Sequence, residues 1–176
     1  MARRRQARRG LGGLARSLLT FFGEVFTLDH FVTRGDMEAG CKGKKDAVVM
    51  MDLWSDYTMV IPVDSKSSRH AYEALRQFRG DTYPRRVHTD NSPELVSAVS
   101  EFGFHHTTSA LSRPQRNGII ENRVGLIKRH SRAILKQAGI PPNGWPWSVA
   151  YWACARNFWA KSDRLDPDGV EPVPVN

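Results

Sequence analysis

Two apolar runs, residues 47–53 (AVVMMDL) and 57–63 (YTMVIPV), are separated only by Trp54-Ser55-Asp56. A gap that short cannot carry a crossover, so it predicts an antiparallel hairpin. A third run, residues 25–31 (VFTLDHF), reads as a preceding strand interrupted by Asp29. The polar stretch 33–45 connects it to the hairpin. Beyond the hairpin the period changes. Residues 67–78 read as a helix that Ser67 or Ser68 caps, that buries Ala71, Leu75 and Phe78, and that Gly80 ends. Residues 85–89 (RRVHT) read as a short strand stopping at Asp90-Asn91, 93–101 as a brief helix, and 102–108 (FGFHHTT) as a strand.

In the next segment, RPQRNGIIENR, residues 113–123, Pro114 and Asn117-Gly118 are turn chemistry. Ile119, Ile120, Val124, Ile127 and Ile134 then recur at three-to-four spacing, which predicts a helix from about 119 to 137, stopped by Gly139 and Pro141-Pro142. A last helix covers roughly 147–160. The order of three strands, helix, strand, short helix, strand, long helix and helix implies an α/β fold, a mixed sheet with helices packed on it.

The formal charge of +8 points to a polyanionic partner. Six arginines (Arg3, Arg4, Arg5, Arg8, Arg9, Arg16) lie in the first twenty residues, which hold no acid; without them 20 basic residues face 18 acidic ones. Residues 1–22 therefore read as a basic arm, with an organelle transit peptide as the alternative, 23–162 as the folded domain, and the Pro- and Asp-rich 163–176 as an unstructured tail. Cys41 and Cys154 form no CxxC, and His105-His106 point to opposite strand faces, so no zinc site is expected. No run is long enough for a membrane span.

Asp29 lies in the first strand, Asp90 ends the fourth, and Glu121 follows the loop after the fifth. Sites in open α/β sheets form outside strand ends where the strand order reverses. Three carboxylates meeting there would repel one another unless cations sat among them; oxygen donors select Mg²⁺ or Mn²⁺, and two such ions serve in-line phosphoryl transfer. An Asp inside an apolar strand is costly without a partner, though an arginine would also satisfy it. Taken alone, Glu121 is simply an acid favoured by the helix dipole. Glu121, Gly125, Lys128 and Arg132 share one helix face, which reads either as a solvated stripe or as a phosphate-binding one. Gly125 inside a helix costs roughly 1 kcal/mol against Ala and would let a nucleic-acid backbone come close. Trp145, Trp152 and Trp159 recur every seven residues and read as packing of the last helix on the core or on a second copy, with base stacking as the alternative.

The segments FTLDHF, VVMMDLWSDYTMVIPV, HTDNSPEL and RPQRNGIIENR resemble the catalytic core of retroviral and retrotransposon integrases, RNase H-like polynucleotidyl transferases with an Asp, Asp, Glu triad. The segment ILKQAGIPPNGWPWSVAYWACARNF resembles the stretch after the core in copia-type elements. The likeness covers roughly residues 24–160. It implies a five-stranded mixed sheet, three antiparallel strands and then parallel ones, flanked by helices. It implies Mg²⁺- or Mn²⁺-dependent 3′-end processing and strand transfer of DNA, a homo-oligomer, and a nuclear location. By resemblance Asp29, Asp90 and Glu121 take the triad and metal positions, and Lys128 a position that contacts element-end DNA. Gln115 and Asn117 fall in the active-site loop, and Arg116, Arg123 and Arg132 join the DNA-binding set. Asp52 matches a commonly acidic position outside the triad, and capping the turn at Ser55 is its better reading. Two features depart from the pattern: the 30 residues between Asp90 and Glu121 are fewer than in retroviral members, and Ser92-Pro93 stands where Gly is usual. The alternatives are a plain RNase H-like nuclease, or a non-catalytic nucleic-acid-binding or assembly module derived from an integrase.

Overall fold

The computed structural model describes residues 18–33, 40–108 and 118–159. The hairpin is present as β2 (Asp46–Asp52) and β3 (Thr58–Val63), and the first run as β1 (Phe26–Val32). β1 pairs antiparallel with β2, and β4 (Val87–Thr89) and β5 (His106–Thr108) continue the sheet in parallel, giving the order β3-β2-β1-β4-β5. Pro62, which cannot donate to a ladder, sits on the edge strand β3.

Among the described residues four α-helices flank the sheet: α1 (Ser68–Arg79), α2 (Pro93–Phe102), α3 (Gly118–Gln137) and α4 (Trp145–Trp159). The two-residue strand period divides the core in two. Phe26, Leu28, Val48 and Met50 pack with Leu75 and Phe78 of α1 and Leu95 and Val99 of α2. Phe31, Ala47, Val49 and Met51 pack with Ile120 and Ile127 of α3 and Trp145 and Val149 of α4. This two-sided cover explains why β2 is buried from Ala47 to Asp52.

Local signals held at most ends. Ser67 caps α1, its Oγ accepting the His70 N–H, and Gly80 follows with φ 54°. The strand expected over 102–108 shortens to β5 because α2 runs on to Phe102 and ends on Gly103 in the left-handed region. Ser92 takes φ −66°, a value open to any residue, so the missing glycine costs the backbone nothing there. Phe22, expected in the arm, packs instead against the rings of Phe26, Tyr57 and Phe78. Trp145 is buried against Phe31 and Trp152 stacks on His130, whereas the side chain of Trp159 lies outside the described residues. So do residues 1–17 of the basic arm and the 163–176 tail.

Candidate active site

β1 is where the sheet changes direction, antiparallel on one side and parallel on the other. The β1–β4 ladder matches Phe26 with Val87, Thr27 with His88 and Leu28 with Thr89. The next step along both chains sets Asp29 beside Asp90. Parallel neighbours lie roughly 4.8 Å apart, so the residue that follows β4 comes level with the middle of β1. Asp29 alternates with Leu28 and belongs to the sheet face that carries Phe31, on which α3 packs. α3 carries Glu121 in its first turn, exposed, at the end that follows the loop after β5.

The electrostatics of Asp29 record this meeting. Burial pushes its carboxyl up from 3.8 to about 6; the backbone N–H of His30, 2.7 Å away, opposes the rise, while the negative charges of Asp90 and Glu121 add to it. Lys128 pulls the other way, with its Nζ 5.4 Å from the centre of the Phe31 ring. Asp90 Oδ1 accepts the Ser92 N–H at 3.0 Å, which ties this carboxylate to the entry of α2. Among the described residues no three His, Cys, Asp or Glu side chains are arranged to hold a metal ion. Asp29 feels the charge of the other two acids, without the three converging as a finished cage. Their chemistry nevertheless fits a divalent cation: the donors are hard oxygens, and a cation would reverse the desolvation and repulsion that hold Asp29 near 6.

The remaining candidate residues divide. Lys128 lies beside the acids, and Arg132 is exposed on the same face of α3. Gln115, Arg116 and Asn117 lie outside the described residues. Arg123, expected on DNA, is a correction. It is 6% exposed, and its Nη2 donates to Asp56 Oδ1 at 2.7 Å. The helix period turns position 123 to the core side with Val124 and Ile127, where a guanidinium needs a carboxylate. Asp56, in the β2–β3 turn at φ 66°, also receives Arg156 of α4, so one aspartate joins the hairpin to both helices of that face. Asn157 completes the clasp, its amide accepting the Thr58 N–H and donating to the Thr58 carbonyl. Only the Asp in a tight turn and the Asn in an apolar helix hinted at these partners in the sequence. His30 was also missed: it is 7% exposed, and neither ring nitrogen has a hydrogen-bond partner among the described residues.

Asp52 is structural, as its sequence position implied. Fully buried, it accepts the Ser55 N–H and Ser55 Oγ–H at 2.7 Å each and the Gly23 N–H at 3.0 Å.

The comparison with solved structures matches this architecture. The HTLV-2 integrase catalytic core domain, in complex with magnesium and in a dimeric form, superposes with a TM-score of 0.53 over 74% of this chain and 85% of that one. The fold is that of an integrase core. Sequence identity is 18%, so the likeness is one of fold. No family model matches the chain, and no curated protein does. Among the described residues no helix is long and apolar enough to cross a membrane.

Proposed function

We propose that this chain is an integrase-type polynucleotidyl transferase core of a copia-type retroelement, acting in DNA 3′-end processing and strand transfer. The observation that carries the reading is the position of Asp29, next in register to Asp90 at the turning point of the sheet and charged against both Asp90 and Glu121. Asp29, Asp90 and Glu121 would hold two Mg²⁺ or Mn²⁺ ions, which when bound supply the charge that activates an attacking oxygen and stabilises the leaving one. Asp29 sits on β1, Asp90 directly follows β4, where its carboxylate is tied to the entry of α2, and Glu121 lies on a helix packed over β1, so the donor set is held by the scaffold. Lys128 and Arg132, on the helix that carries Glu121, would grip phosphates next to the acids. Gln115, Arg116 and Asn117 would line the DNA from the preceding loop. The natural target is chromosomal DNA, which would put the chain in the nucleus.

A homo-oligomer forms part of the proposal. Trp147, Tyr151, Cys154 and Phe158 recur at four, three and four residues along α4 and are all exposed. An uncharged helical stripe of this kind suits a second copy better than DNA. The fold relative from HTLV-2 is dimeric.

The deciding experiment incubates the chain and Mn²⁺ with blunt element-end DNA plus target plasmid, and separately with an RNA–DNA hybrid. Joined DNA products are the expected outcome. Cleavage of the hybrid alone would make this an RNase H-like nuclease. DNA binding without divalent-ion affinity or turnover would make it a binding or assembly module.

A further inference from the structure

Glycines inside this fold mostly have visible reasons. A Cβ on Gly40 would strike the Lys44 carbonyl and the Trp145 indole, and one on Gly144 would strike Ile140. Gly125 is different. It lies in the middle of α3, outside the left-handed region, and among the described residues, apart from the helix's own backbone, a Cβ there would meet within 4 Å only the guanidinium of Arg129, at 3.8 Å. Alanine would fit, and would favour the folded state by roughly fivefold in the folding equilibrium. The chain therefore forgoes stability at a position where the packing of the described residues does not require a glycine.

The residues around the gap identify the partner it suits. Glu121 lies one turn before it; Lys128, Arg129 and Arg132 come three, four and seven residues after it, on the same side of the helix. Arg129 and Arg132 are exposed, and Lys128 is half-buried beside the acids. A bare turn of helix between a carboxylate and a basic cluster suits an anionic strand crossing the helix. A second protein helix would gain nothing from that charge.

We propose that Gly125 is a notch in α3 over which a DNA sugar-phosphate backbone passes at close range, its phosphates reaching Lys128, Arg129 and Arg132 and the reacting phosphodiester lying toward Glu121. Gly125 is thus a positioning residue, and its role rests on the DNA-joining reading above. A side chain there lifts the strand off the helix and away from the acids.

The test replaces Gly125 with Ala and with Gln, and Ala133, exposed elsewhere on α3, with Gln as a control. Urea unfolding and fluorescence-anisotropy titration with a short blunt DNA duplex are measured on the full chain. Both Gly125 variants move the unfolding midpoint to higher urea. Gly125→Ala weakens DNA binding by severalfold and Gly125→Gln by roughly tenfold or more, the size of an overpacking penalty; Ala133→Gln leaves affinity unchanged. A more stable protein that binds DNA worse is not the result of damaged folding. Equal affinity of Gly125→Gln and the parent, or equal losses at positions 125 and 133, overturns the notch and leaves the DNA-joining reading standing. No DNA binding by the parent chain overturns both.

Discussion

Asp52 and Asp29 stand on neighbouring strands, and burial pushes both carboxyls above the ordinary range. Their surroundings are opposite. Asp52 is ringed by donors, the Gly23 and Ser55 N–H groups and the Ser55 hydroxyl, which offset its burial and tie the β2–β3 turn to the segment entering β1. Asp29 receives one backbone N–H, from His30, and otherwise faces two more acids and one lysine. The first is a carboxylate whose needs the chain meets itself. The second is one whose burial and acidic neighbours make its charge harder to bear, an arrangement that either a proton or an added cation relieves. Burial alone does not distinguish architecture from a site; the identity of the neighbours does.

The widest separation between the two should appear in activity. Glu121→Gln keeps the size and helix preference of the side chain but removes a negative charge from the Asp29 cluster; DNA joining should fall roughly a thousandfold or more while duplex affinity stays nearly constant, because phosphate contacts dominate binding. Joining that survives this change would take Glu121 out of the machinery.

Next in size is stability at the other aspartate. Asp52→Ala strands the Gly23 and Ser55 donors and should cost about 2–4 kcal/mol by urea unfolding. If it left stability intact and removed divalent-ion affinity, the roles assigned to the two residues would have to be exchanged.

The smallest effect carries the clearest sign. Asp29 titrates near 6 in the folded chain against 3.8 as its reference, so the folded state keeps a proton that the unfolded state has lost. The stability this contributes is complete below about pH 4 and disappears as the pH rises through about 6. Without divalent ions, Asp29→Asn should flatten that decline and leave the variant about 3 kcal/mol more stable at pH 8, with no difference near pH 3. Millimolar Mn²⁺ should then raise the melting temperature of the parent and not of Asp29→Asn. A parent whose stability is flat between pH 4 and 7 would show that Asp29 is not strained.

Much of the scaffold was legible because its signals are local. The gap at Trp54-Ser55-Asp56 fixed the hairpin, Ser67 and Gly80 bracketed α1, and the Ile119–Ile134 spacing gave α3 to within a residue. The structural role of Asp52 was readable too, since its partner Ser55 is three residues away. The partners of Asp56 were not: Arg123 and Arg156 lie 67 and 100 residues further along, and no local period reports such a contact. Arg123 also shows how a motif misleads. Its place beside Glu121 in the sequence suggested a shared surface, yet adjacent helix positions point about 100° apart per residue, and position 123 turned inward.

The order of elements, the turn chemistry and the placing of one acid inside a strand, one just after a strand and one in the first turn of a helix were set by the sequence itself, because periodicity and capping act over a few residues. The tertiary structure alone decided that β4 lies parallel to β1 in a register that brings Asp90 toward Asp29, that Arg123 is a strut, and that among the described residues only the Arg129 side chain comes near the space at Gly125. Those outcomes depend on how two cores pack on opposite faces of one sheet, a sum over distant residues that no single stretch of the chain carries.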